Sequence, residues 1–535
     1  MKSQPPILRL SNELIRLILD RIEPDPDKTV PVDRRQFLSI ESFDFPPPST
    51  RGSIKDIGRF RLTCRTFSEI GAPVQYTRVA ARFSKNGLKK LEQLAEWPHL
   101  ASHVKKFSYL VPYFYGNGIQ QVRSLLQEPE RTRLGFDIKA FNIKAHEQRD
   151  LVTSKEDVRI LKKAIAKFAS LQTVQILRVT DEDDSALLSY LRSHEDGRQF
   201  VDLEWAPACS HSSQTIGAAL IAASEVPWSR FSSPMLSPQS AEFLAAHPPT
   251  QLHSLAERLT CLTLHFDDGS DLDMKMNELS SLFRRVFLSA VNMQAVHVGF
   301  PSHRPLNLPL EAVFHHVKWE RLVAFGVQGW KLDAEEILGL ALRHKDKLKG
   351  LRLRDVLLKD GAMWKDVLLA LRDLMNRLEW VSLRRIGYAR HFDDLWLVAG
   401  AEVPDDPPPG GSESDSGEED DDDLIAGPSG SHYGQGSCSD DGGEGDEEEG
   451  TWSAASSDES DSDEEHGPDA HEMDFPPLDS PVTPQSAPWC NCNCRSFVDS
   501  VDDLEDDGYS VSNAKRRAWE KWVVRRCPEH DDRQH

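Results

Sequence analysis

Few side chains in this sequence have types and spacings suited to chemistry. Cys490, Cys492 and Cys494 alternate, and Cys527 and His530 follow the stretch AKRRAWEKWVVRR. Four of these five could gather a zinc ion as thiolate and imidazole ligands. The C-x-C-x-C spacing lacks the gap of common zinc sites and no second close pair follows, so a thiol cluster without metal is expected. His315 and His316 are adjacent, and adjacent helical positions point in different directions, which makes a poor metal pair. The sequence contains no G-x-S-x-G, G-x-x-x-x-G-K-[ST], H-E-x-x-H or G-x-G-x-x-G, the arrangements that activate a nucleophile, cradle phosphates or hold a catalytic metal. A non-enzymatic protein without cofactor or metal is expected. The eight cysteines are scattered and no apolar run follows Met1, so reduced thiols in cytoplasm or nucleus are expected.

Two short stretches near the start must instead position a binding surface. Residues 8–22 read LRLSNELIRLILDRI and residues 57–76 read IGRFRLTCRTFSEIGAPVQY. In the first, Ser11 or Asn12 can cap a helix whose apolar positions are Leu14, Ile15, Ile18, Leu19 and Ile22. In the second, Phe60, Cys64, Phe67 and Ile70 keep helical spacing and Pro73 is expected to end the element. A pair of short amphipathic helices buries little by itself and needs the rest of the chain or a partner.

The opening L-S-x-E-L-x-x-x-I-L, then R-L-T-C-R-x-F and A-P, resembles the F-box, in particular that of filamentous-fungal proteins. Arg61, Leu62, Thr63, Cys64, Arg65 and Phe67 form the more specific half. The likeness covers about the first tenth of the chain and departs from the family at Ser11, which replaces a proline, and in an insertion over residues 24–53. It implies a substrate-receptor subunit of an SCF-type cullin–RING ubiquitin ligase that binds a Skp-type adaptor. Leu10, Leu14, Ile18, Leu62, Cys64 and Phe67 are the expected adaptor-binding face.

The formal charge of −23 is unevenly spread. Twenty-seven acidic and no basic residues lie from Asp405 to Asp479, and without them the remainder carries +4. Residues 401–488 have too few large apolar side chains to offset chain entropy and are expected to form a disordered acidic C-terminal extension. Ser412, Ser414, Ser416, Ser457, Ser460 and Ser462 precede acidic residues closely, as sites of acidophilic kinases do, and phosphates would deepen the negative field. Residues 489–535 form a Cys-containing basic segment. Its few cations do not argue for nucleic-acid binding, and no run is long and apolar enough for a membrane span. A chain ending near Ala401 is expected to fold like the full one.

Between these ends, apolar alternations recur as Leu262-x-Leu264, Val296-x-Val298, Val323-x-Phe325, Leu351-x-Leu353 and Val381-x-Leu383, at offsets of 34, 27, 28 and 30 residues. Amphipathic stretches such as 333–344 and 361–375 lie between them. A short strand, a turn and a helix at this period is the pattern of leucine-rich repeats. The expected fold is therefore α/β: a helical F-box-like domain at 1–80, a leucine-rich-repeat-like solenoid at 81–400, and the extension. In such a solenoid Ala324, Arg352 and Ser382, flanked by Gln328, Arg354 and Arg384, should point outward. Arg352, Arg354 and Arg384 would then form a positive stripe for an acidic or phosphorylated protein substrate. The alternative function is a nuclear scaffold whose acidic segment binds basic proteins and which has no role in ubiquitination.

Overall fold

The computed structural model describes residues 7, 10–22, 54–115, 138–179, 203–238, 249–266, 271–392, 506, 508, 519–520 and 522–524. The protein is mixed α/β, with helices packed around one mostly parallel sheet. Its strands are β1 (Arg78–Arg82), β2 (Lys106–Val111), β4 (Thr173–Arg178), β6 (Arg230–Leu236), β7 (Cys261–Phe266), β8 (Ala295–Gly299), β9 (Ala324–Leu332), β10 (Gly350–Leu358) and β11 (Trp380–Arg384). They lie side by side in chain order, each parallel to the next. A short strand β12 (Gly387–Tyr388) continues beyond β11 and also pairs with β10, while β3 (Phe114–Tyr115) and β5 (Leu203–Glu204) form a separate antiparallel pair. At least one helix separates each pair of neighbours in the parallel sheet. A parallel neighbour requires a crossover of this kind.

The register aligns the apolar positions into rows. Leu262, Val296, Phe325, Leu351 and Val381 form one row, and Leu264, Val298, Val327, Leu353 and Leu383 the next. The third strand therefore contributes Phe325-x-Val327; the expected Val323-x-Phe325 was displaced by two residues, a shift that alternation alone cannot detect. The helix expected at 333–344 is Ala334–Arg343, closed at its start by an Asp333–Glu336 capping box, and that at 361–375 is Trp364–Leu374. Strands β7 to β10 are buried along nearly their whole length, as expected of the middle of a parallel sheet. Close strand-to-strand packing is visible at Gly350, where a Cβ would lie 2.0 Å from the Trp380 ring.

The N-terminal unit has three helices: α1 (Asn12–Ile22), α2 (Ile54–Leu62) and α3 (Arg65–Gln75). The second amphipathic stretch is thus broken at Thr63–Cys64, with Cys64 extended at the N-cap of α3. Pro73 does not end α3, which continues through it to Gln75. The 24–53 insertion, residues 401–488, the six candidate phosphorylation serines and the Cys490, Cys492, Cys494, Cys527 and His530 group lie outside the described residues. Among the described residues no helix is long and apolar enough to cross a membrane.

The far C-terminus corrects one expectation. Trp519, Trp522 and Val523 are buried in the same core as the sheet. Glu520 accepts a hydrogen bond from the Leu383 backbone N–H, 137 positions earlier, and Arg372 donates to the Trp522 carbonyl. Ending the chain at Ala401 therefore removes part of the core, contrary to the reading of a dispensable extension. Two tryptophans three residues apart were the available signal, hidden by the basic residues around them.

Candidate functional site

Helix α1 carries two apolar stripes. Ser11 starts it, its hydroxyl accepting from the Leu14 backbone N–H at 3.5 Å. Ile15 and Leu19 are buried. Leu14, Leu17 and Ile18, spaced at three and four residues and so on one face, are 47%, 58% and 37% exposed. Leu62, at the end of α2, is 61% exposed. Phe60 and Phe67 stack with ring centroids 4.4 Å apart, and Arg61 lies over the Tyr76 ring and donates to the Ser68 carbonyl. The three helices thus possess an internal core that does not use the exposed leucines.

Of the six residues expected to bind an adaptor, Leu14, Ile18 and Leu62 are exposed and Leu10 and Cys64 half-buried. Phe67 is a correction. It is buried against Phe60, because the break at Cys64 turns α3 back onto α2. Leu17 belongs to the exposed stripe and was missed, although its spacing from Leu14 was visible in the sequence.

The expected arginine stripe is also corrected. Arg352 and Arg354 are each 1% exposed, Ala324 and Gln328 are buried, and Ser382 and Arg384 are half-buried. Arg352 and Arg354 sit on β10, between β9 and β11, with the Arg352 guanidinium 5.9 Å from the Trp380 ring, and their burial keeps a partner from reaching them in this conformation. They belong to a buried polar band. One row runs Ser108, Gln175, Ser232, Thr263, His297, Gly326, Arg352 and Ser382 across successive strands. Burial, followed by the charges of Arg352 and Arg354, holds the His297 imidazole well below its ordinary range. Beside this row Asp355 accepts from Gln328 Nε2 at 2.9 Å and from Arg385 Nη2 at 3.0 Å.

A third cluster lies where helix Glu156–Ile165 meets helix Trp205–Ala222. Asp157, wholly buried, is 2.7 Å from His211 Nε2, and Thr215 lies 3.4 Å from the same carboxylate oxygen. Phe83 and Phe114 pack against the His211 ring. The arrangement ties two helices together and surrounds the imidazole with the Asp157 carboxylate, the Thr215 hydroxyl at 3.5 Å from Nε2 and two aromatic rings. Among the described residues no group of three or more His, Cys, Asp or Glu is placed to hold a metal ion.

No family model matches this chain, and no curated protein matches it.

Proposed function

We propose that this chain is a substrate-receptor subunit of an SCF-type cullin–RING ubiquitin ligase. Its N-terminal helices bind a Skp-type adaptor, and its sheet-bearing body, a degenerate leucine-rich-repeat-like solenoid, holds a protein substrate. The observation that carries this reading is the second apolar stripe of α1. Leu14, Leu17 and Ile18 face water while Ile15 and Leu19 already satisfy the internal packing. A helix apolar on two sides has one side to give to a partner.

The solenoid reading is supported by strands that follow one another in chain order and in register. A backbone feature also recurs. Gly329, Asp355 and Arg385 follow the aligned residues Gln328, Arg354 and Arg384, and all three take positive φ, of 62°, 48° and 49°. The same left-handed kink in three successive units is what a structural repeat produces. The chain would act by proximity: it would bring substrate to the ligase, whose other subunits perform the transfer.

The test is co-expression of the full chain with a Skp-type adaptor. Retention on an affinity column, lost when residues 1–80 are deleted, supports the reading. Absence of adaptor from the full-length eluate contradicts it.

A further inference from the structure

The connection between helix Leu310–Phe314 and β9 is held by a histidine with no spare capacity. His344 is 3% exposed, and its ring stacks on Trp319 with 5.8 Å between centroids. The Trp319 backbone N–H meets Nε2 at 3.1 Å, and Nδ1 lies 3.1 Å from the Leu340 carbonyl. A backbone N–H can only donate and a carbonyl can only accept. The two contacts therefore fix the neutral tautomer, with its proton on Nδ1 and a lone pair at Nε2. A second proton would have to sit at Nε2, facing another donor.

The same connection carries two residues in the left-handed region. His315 and His316 take φ of 52° and 53°, uncommon for residues with a side chain. His315 Nε2 donates to the Ser280 carbonyl at 2.8 Å, a bond that a proton on Nδ1 leaves intact. The His316 side chain is 75% exposed, and its Nδ1 lies 3.2 Å from Glu311 and 3.1 Å from Arg343, so a proton there meets one charge of each sign. Of these imidazoles, His344 alone would lose an acceptor by taking a proton. Charged groups reach it from Arg343 on its own helix, Lys318 in the connection and Glu311 on helix Leu310–Phe314. Burial, joined by the two cations, holds the His344 imidazole below its ordinary range, against the opposing effects of the Leu340 bond and Glu311.

We propose that His344 is a proton sensor built into this connection: a proton at Nε2 breaks the Trp319 N–H bond and loosens residues 315–319 while the sheet stays folded. The direction follows from which state accepts the proton. Closed, His344 is neutral; open, it takes a proton near the ordinary value of about 6.5. Opening therefore grows as pH falls below about 6.5, by up to about tenfold per pH unit for a single proton. Trp319 links this event to the core, since its indole N–H donates to the Phe287 carbonyl at 3.2 Å and its ring packs edge-on against Phe287 and Phe314.

The test is hydrogen exchange of the full chain between about pH 7 and 5, read by mass spectrometry and corrected for the intrinsic pH dependence of exchange. Peptides covering Trp319 should lose protection over the lower part of this range, while peptides from β9 and β10 keep theirs. His344→Gln offers the Trp319 N–H an acceptor that takes no proton, and should abolish the pH dependence; His316→Gln should retain it. Ring-nitrogen shifts of the histidine-labelled protein, with His344 assigned by difference, should show the Nδ1–H tautomer at neutral pH. That measurement reads the wild-type chain and decides the matter even if His344→Gln folds poorly. Constant protection at Trp319, an unchanged pH dependence in His344→Gln, its abolition by His316→Gln, loss of protection throughout the sheet, or an Nε2–H tautomer would each overturn the proposal.

Discussion

Asp506 accepts a hydrogen bond from the backbone N–H of Lys365 at 2.9 Å, across 141 positions of sequence. Helix Trp364–Leu374 begins after Met363, which cannot cap it, and Asp506 supplies the missing acceptor from the far end of the chain. Replacing it with Ala should cost about 1–2 kcal/mol, the usual effect of losing such a cap. Asp506→Asn keeps a carbonyl acceptor and should cost less. Urea unfolding of the three proteins gives the comparison, and equal stability of Asp506→Ala and wild type would refute the remote cap.

Tyr388 makes the same contact dependent on alkaline pH. Its hydroxyl lies 2.6 Å from both Asp506 oxygens, and burial, then this carboxylate, raises the phenol well above its ordinary value. The protonated phenol is favoured in the folded state, so the stabilisation is complete below about pH 10, where an unfolded tyrosine ionises, and declines above it. Tyr388→Phe should lose stability at neutral pH and show a shallower decline above pH 10. An unchanged alkaline limb would contradict the assignment.

Glu92 governs part of the acid limb. Hydrogen bonds from Arg159 at 2.8 Å and Lys163 at 3.1 Å lower its carboxyl to about 2. A lowered carboxylate stabilises fully above the unfolded value, and the benefit is lost as pH falls toward about 2. Glu92→Gln should therefore flatten the stability–pH curve between about pH 4.5 and 2, with a smaller effect in high salt. Parallel acid limbs for mutant and wild type would remove this role.

Gly350 has no room for a side chain. A Cβ would meet the Trp380 ring at 2.0 Å, so Gly350→Ala should destabilise by about 1–3 kcal/mol through overpacking. Shortening the neighbour in the double variant Gly350→Ala, Trp380→Leu should recover part of that loss. A double variant no more stable than the sum of the single losses predicts would show that the two positions do not press on each other.

The periodic parts of the fold were legible in sequence. Leu351-x-Leu353 and Val381-x-Leu383 lie in register as read, and Asp333 begins its helix as a capping residue should. The first strands are harder to read: Val174 and Ile176 alternate within β4, but polar residues on both sides hide the period. The outward direction of Arg352 and Arg354 was misread, because alternation identifies opposite faces of a strand but not what covers each face. Phe67 was assigned to a partner for a similar reason, since helical spacing cannot distinguish an internal core from an external one. The packing of Trp519, Trp522 and Val523 into the core was concealed by sequence distance, which no local pattern bridges.

The central claim is that the exposed stripe of α1 exists for an adaptor. Its most direct measurement is calorimetric titration of the full chain with a purified Skp-type adaptor, comparing wild type with Leu14→Ala, Ile18→Ala. Each truncation of a leucine or isoleucine that becomes buried removes roughly 1.5–3 kcal/mol of burial, so affinity should fall by at least a hundredfold in total. The melting temperature should remain unchanged, because neither side chain is part of the internal core. Wild-type affinity in the double variant, or no binding by the unmodified chain, would contradict the account.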